Sequence, residues 1–142
     1  MYKKYFKRLF DIIFSLSLII ILFPIMISIF FLVWVTIGFP IFLQKRPGLD
    51  NKIFTLYKFK TLYNSSKNFS EKKRQNKIGN FLRKTGLDEL PQLFNVLRNN
   101  MSFIGPRPLL LEYLSKYSNY EKKRHIIKPG ITGWAQVNPE AS

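Results

Sequence analysis

Between Ile12 and Gln44 the chain carries no ionisable side chain, and most of those 33 positions are Ile, Leu, Phe or Val. A bilayer core about 30 Å thick is matched by about 20 apolar residues in a helix, so this run is long enough to enter a membrane. It is too long and too apolar for a secretory leader, and no small-residue cleavage site follows it, so it is expected to stay on the chain. Lys3, Lys4, Lys7 and Arg8 precede the run, and Lys45, Arg46, Lys52, Lys58 and Lys60 follow it. Two basic flanks do not fit the charge asymmetry of a simple span, and they suit a segment whose ends both lie on the cytoplasmic side. Pro24 lacks a backbone donor and is expected to bend or break the helix. The arms Ile12 to Phe23 and Ile25 to Ile37 would each reach about 18 to 20 Å, which dips into one leaflet without crossing. A kinked single span and a re-entrant hairpin both stay open on these residues. Gly38-Phe39-Pro40 marks the exit by its turn chemistry.

Of the 142 residues, roughly 100 remain for a polar, basic part. The net charge of +15 points to an anionic partner, and the absence of cysteine excludes disulfides and thiolate metal sites. Two apolar-alternating pieces around Pro47-Gly48 predict a β-hairpin over residues 41 to 60. Residues 63 to 77 read as a solvated loop or mobile helix. Ile78 to Lys84 predicts a short amphipathic helix stopped by Gly86, and a second helix is expected from Asp88 through Leu97 with Pro91 in its first turn. Gly105-Pro106-Arg107-Pro108 is a rigid loop, and Leu109 to Arg124 again has helical periodicity.

Only eight residues are acidic, and Asp88 and Glu89 form an adjacent pair at a predicted helix start. A helix N-terminus is expected to keep both ionised, which suits attack on phosphorus and oxygen ligation of Mg²⁺. Arg83, Lys84, Arg98 and Arg107 surround the pair in sequence. Carboxylates among guanidinium and ammonium groups make a phosphoryl-transfer centre, because the cations neutralise phosphate oxygens while an acid attacks. The plainer reading makes Asp88 a helix cap and Glu89 a first-turn acid. The sole histidine, His125, reads as structural or phosphate-proximal. Trp134 is open between base stacking, membrane anchoring and core packing.

Six ordered blocks carry a resemblance: Lys7-Arg8-Leu9-Phe10-Asp11, Gln44-Lys45-Arg46-Pro47-Gly48, Tyr57-Lys58-Phe59-Lys60-Thr61, Leu87 to Leu93, Met101 to Pro108 and Lys128 to Asn138. In that order the chain resembles the bacterial sugar transferase family, the monotopic phosphoglycosyl transferases. The resemblance implies an α+β, helix-dominated fold, with a re-entrant membrane helix broken at Pro24 over residues 1–40 and a cytoplasmic catalytic domain over residues 41–142. It implies that Asp88 is the nucleophile forming a phosphosugar intermediate, that Glu89 ligates Mg²⁺, and that Arg83, Arg107, Lys58 and Lys60 contact substrate phosphates. Lys7 and Arg8 are expected at the lipid headgroups. The implied partners are a UDP-sugar, polyprenyl phosphate and anionic membrane lipids, with no nucleic acid, at the cytoplasmic face of the bacterial inner membrane.

Two departures stand out. Phe23 occupies the place before the proline where well-known relatives have Ser, so Ser15, Ser17 or Ser28 is expected to cap the freed carbonyl. Relatives also continue past Val-Asn, whereas this chain ends Pro139-Glu140-Ala141-Ser142, so the catalytic domain is expected to be incomplete at its C-terminus. The competing readings are an inactive truncated remnant and a non-enzymatic basic protein anchored at the membrane.

Overall fold

The computed structural model describes residues 2–64 and 74–138. Of the loop or mobile helix expected over 63 to 77, residues 65–73 lie outside the described residues, as do Pro139 to Ser142. Helix α1 spans Tyr2–Thr36, strand β1 Ile41–Pro47, strand β2 Ile53–Phe59, helix α2 Lys77–Thr85, helix α3 Gln92–Leu97, strand β3 Ser102–Ile104, strand β4 Gly130–Thr132 and helix α4 Trp134–Val137. The architecture is helix-rich α+β, as expected.

α1 is one helical element through Pro24, so the expected break into two separate arms is not present as a gap in the helix. A proline removes a single donor from the backbone ladder, and the apolar residues on either side keep the remaining hydrogen bonds. The expected serine cap is not formed at the Ile20 carbonyl that Pro24 leaves unpaired. Ser15 donates instead to the carbonyls of Asp11 and Ile12, and Ser28 donates to that of Pro24 at 2.8 Å. The helix ends where the sequence indicated, with Gly38 in a left-handed conformation (φ 107°) just beyond it.

The two ends of α1 pack against the same body of the protein. Near its start, Arg8 donates to the carbonyls of Val96 and Leu97 at 2.6 and 2.8 Å, capping the end of α3. Buried Asp11 accepts from the Ser102 hydroxyl (3.0 Å) and the Phe103 N–H (3.2 Å), while Phe14 meets the Phe103 ring edge-on. Near its end, Met26, Ile29, Val33 and Ile37 form an apolar core with Phe59 and Leu82. The rest of α1 is bare: Ile20, Ile21 and Val35 are exposed, and of its most apolar stretch only 11% is buried. By length and composition it is a helix able to cross a membrane. Contiguous apolar surface on that scale is not left to water in soluble proteins.

β1 and β2 form the expected antiparallel hairpin, Ile41 opposite Phe59 and Pro47 opposite Ile53. Asp50 and Asn51 both take left-handed conformations in the turn, which their short polar side chains tolerate. Asn95 of α3, fully buried, accepts from Tyr57 N–H at 3.0 Å and donates to Thr55 C=O at 2.7 Å, fixing α3 against the β2 edge. α2 confirms the amphipathic prediction: Asn76 caps its start through Gly79 N–H, and Gly86 ends it at φ 71°. The second predicted helix is shorter than expected. A 3₁₀ turn at Leu87–Glu89 precedes α3, because Pro91 has no N–H with which to continue an α ladder back to Leu87. The predicted helix over Leu109 to Arg124 resolves into 3₁₀ turns at Leu111–Tyr113 and Glu121–Ile126. Between them Glu121 accepts from both the N–H and the hydroxyl of Ser118, a local bond pattern that competes with helix. β3 and β4 pair in parallel, a contact the sequence did not announce.

Candidate active site

Gly86 turns the chain so that the 3₁₀ turn after α2 presents Asp88 and Glu89 to the face of β2 that carries Lys58. Lys58 Nζ meets Glu89 Oε1 at 2.7 Å, and Arg107, from the Gly-Pro-Arg-Pro loop, approaches the same oxygen with Nη2 at 3.7 Å. The loop is held by backbone bonds: Gly105 N–H to Thr132 C=O and Gly130 N–H to Pro106 C=O, both 3.0 Å. A side chain on Gly130 would fall 2.1 Å from the Gly105 nitrogen, so only glycine allows that crossing.

Asp88 is buried, 8% exposed. Burial raises its proton affinity above the ordinary carboxylate value, Lys58 opposes that rise, Glu89 adds to it, and its own backbone N–H and Arg83 oppose it more weakly. Where the helix start was expected to favour the ionised carboxylate, loss of solvent outweighs the nearby cations, so Asp88 holds its proton more tightly than a free carboxyl group.

One cavity of about 830 Å³ unites most of the residues singled out from the sequence. Asp88, Arg83, Lys58, Lys60 and Arg107 all line it, and Glu89 lines an adjoining cleft. Lys60 bonds the Asn64 side chain, and Arg83 donates to Asn80 at 3.1 Å. Lys84 and Arg98 do not line it. Arg98 instead lies 5.3 Å from the Tyr57 ring centre and bonds its hydroxyl, beside an apolar groove of about 380 Å³ between α1, β2 and α3. Lys7 donates to the Ile104 carbonyl at 3.1 Å, and Arg8 is engaged with α3 as described. His125 is buried with Nδ1 3.3 Å from the Gly48 carbonyl, and Trp134 is 74% exposed, which removes core packing from its three readings.

Sequence reasoning gave no role to Asp11 or Arg46. A lone acid at the edge of a long uncharged run was a usable signal for Asp11, since a carboxylate there needs partners. Arg46 lines both the cavity and the cleft, donating to Pro108 C=O (3.2 Å) and Gln44 Oε1 (2.6 Å). Among the described residues no group of three His, Cys, Asp or Glu side chains is placed to hold a metal. The acidic pair beside a cationic cavity fits Mg²⁺ in the mode where one or two carboxylates share the ion with substrate phosphates.

A family model described as "Bacterial sugar transferase" matches residues 2–142. The chain is 44% identical over 137 residues to "Uncharacterized sugar transferase EpsL" of Bacillus subtilis, covering 93% of this chain and 68% of that protein. It is 43% identical over 143 residues to "UDP-glucose:undecaprenyl-phosphate glucose-1-phosphate transferase" of Klebsiella pneumoniae, covering 94% of this chain and 31% of that one. With "Undecaprenyl-phosphate galactose phosphotransferase" of Salmonella typhimurium the identity is 36% over 157 residues, covering 96% and 33%. The chain thus spans about a third of the length of these two named transferases.

Proposed function

The chain belongs to the bacterial sugar transferase family, and from that premise we propose that it moves a sugar 1-phosphate from a UDP-sugar to undecaprenyl phosphate, releasing UMP, as a first membrane step of bacterial glycan synthesis. The observation that carries this reading is the buried Asp88 beside Glu89 in a cavity walled by Arg83, Lys58 and Arg107, on a body that also packs a membrane-competent helix. The names of two relatives, which act on UDP-glucose or transfer galactose phosphate to undecaprenyl phosphate, support the substrate class.

In the mechanism, ionised Asp88 attacks the phosphorus attached to the sugar. A carboxylate whose proton affinity burial has raised is the more basic nucleophile once deprotonated. An oxygen–phosphorus bond to Asp88 forms, the bond to the bridging oxygen breaks, and UMP leaves with that electron pair. Undecaprenyl phosphate then attacks the phosphosugar on Asp88 and frees the carboxylate. Lys58 and Arg107 hold Glu89 in place, and Arg83, Lys58 and Lys60 orient phosphate oxygens. Glu89 would hold Mg²⁺, which would supply charge neutralisation to the phosphates.

Both ends of α1 pack on the same body, which favours a re-entrant path into one leaflet, with that body on the cytoplasmic face of the inner membrane in this reading. The test is UMP release from nanodisc-embedded protein given Mg²⁺, undecaprenyl phosphate and a panel of UDP-sugars. Release by the wild type and none by Asp88→Asn supports the reading; no UMP from the wild type with any sugar sinks it.

A further inference from the structure

We propose that Arg46, paired with Arg107, is the binding site for the phosphate of the departing nucleotide, while Arg83 serves the phosphate being transferred. This inference rests on the reading above and adds a division of labour to it.

The cations of the cavity are not equivalent. Those acting electrostatically on Asp88 are Lys58 and Arg83. Arg46 shares the cleft with Glu89, and the charge acting on it is Arg107, a like charge. Burial first, and the Arg107 guanidinium second, make Arg46 hold its proton less tightly than an ordinary arginine. Two guanidiniums set together in a partly desolvated place repel each other, and that cost is relieved when an anion lies between them.

Arg46 is also held for such a task. Its two terminal nitrogens are fixed by the Pro108 carbonyl and Gln44 Oε1, which ties its position to the Gly-Pro-Arg-Pro loop that carries Arg107. Its Nε is buried with no hydrogen-bond partner in the protein, and so is Gln136 Oε1, in the same cleft. A buried unsatisfied guanidinium nitrogen is rare enough to require an explanation. Arg46, Lys58 and Arg107 line both the cleft and the larger cavity, Glu89 lines the cleft, and Asp88 and Arg83 line the cavity alone.

Direction of attack supplies the last step. In phosphoryl transfer the attacking and leaving oxygens stand roughly in line on opposite sides of phosphorus. Attack by Asp88 sends the bridging oxygen and the nucleotide phosphate that takes its electron pair away from Asp88, and Arg46 and Arg107, which also line the cleft that Asp88 does not, are the guanidiniums assigned to receive it. Negative charge grows there as the bond breaks, and two fixed guanidiniums stabilise it.

The experiment uses the full chain in nanodiscs and compares wild type, Arg46→Met and Arg46→Lys, with circular dichroism melts to confirm folding. UMP binding is measured by calorimetry, and exchange of labelled UMP into UDP-sugar is followed without lipid acceptor. Steady-state KM is then obtained for each substrate. We expect Arg46→Met to weaken UMP binding and raise KM for UDP-sugar about tenfold to a hundredfold, as for loss of a charge-assisted bond. KM for undecaprenyl phosphate should stay within about twofold, and Arg46→Lys should recover part of the loss. UMP binding unchanged in a folded Arg46→Met, or equal rises in both KM values, would overturn the site. Should Arg46→Met not fold, Arg46→Lys decides by the same ratio of the two KM values. A wild type that neither binds UMP nor exchanges it removes the transferase reading itself, and the inference with it.

Discussion

Two buried aspartates sit in regions that treat them in opposite ways. At the seam between α1 and the body, Asp11 is 3% exposed and accepts from a hydroxyl and a backbone N–H. In the cavity, Asp88 is 8% exposed, and loss of solvent raises its proton affinity despite the cations around it. A carboxylate supplied with donors where it is buried serves the fold. One that is desolvated beside an open space is, on the proposed reading, the one that serves the chemistry.

The sharpest way to break this contrast is Asp88→Asn. UMP release should fall at least about a thousandfold, as when a nucleophile is removed, while circular dichroism stays native. A variant retaining a tenth of the activity would place the nucleophile elsewhere. Next in size is Asp11→Ala, which strands the Ser102 hydroxyl and the Phe103 N–H. It should cost about 2 to 4 kcal/mol in unfolding followed in detergent, with UMP release per folded molecule within about threefold of wild type. Loss of activity without loss of stability would erase the distinction between the two acids.

Acidity sharpens it further. Because Asp88 in the free protein binds its proton more tightly than a free carboxylate, kcat/KM for the UDP-sugar should decline with falling pH along a limb above the ordinary carboxylate range. A limb at or below that range would contradict the raised proton affinity. The smallest effect is on stability. A carboxyl group with a raised folded pKa favours the fold below its unfolded pKa, and that contribution is lost as pH rises through the folded value. Asp88→Asn, which has no charge to bury, should therefore melt slightly above wild type at pH 7, with the gap closing toward pH 4. An Asn variant that melts lower at neutral pH would show that the ionised Asp88 is stabilised by its neighbours.

Residues that make local structure were the legible ones. Alternation around Pro47-Gly48 foretold the hairpin, and Gly86 foretold the end of α2, since each depends on neighbours a few positions away. The β3–β4 pair was hidden because three-residue strands carry no period, and their contact depends on Gly130 meeting Gly105 across the intervening turns. Periodicity misled over Leu109 to Arg124, where Ser118 and Glu121 bond locally and divide the segment into short turns. The acidic pair was visible as a pair, but Arg83, Arg98 and Lys84 looked alike in sequence. Only folding sends Arg98 to the Tyr57 ring and Arg83 to the cavity. Arg46 was passed over because a charge on a hairpin strand reads as solvated, and its proximity to Arg107 is created by the loop that Pro108 anchors.

The bonds that seat the start of α1 have a bearing on how the chain is born. Arg8 and Asp11 reach partners 88 to 92 residues later in the sequence. While the ribosome is still making those residues, the apolar helix has already emerged and has nothing of its own chain to close upon. Closing so long a loop is also slow compared with forming a helix. On the membrane reading the bilayer would act as the first template, holding α1 until the rest of the polypeptide folds onto it, so that synthesis in the absence of membranes should leave the same sequence aggregated.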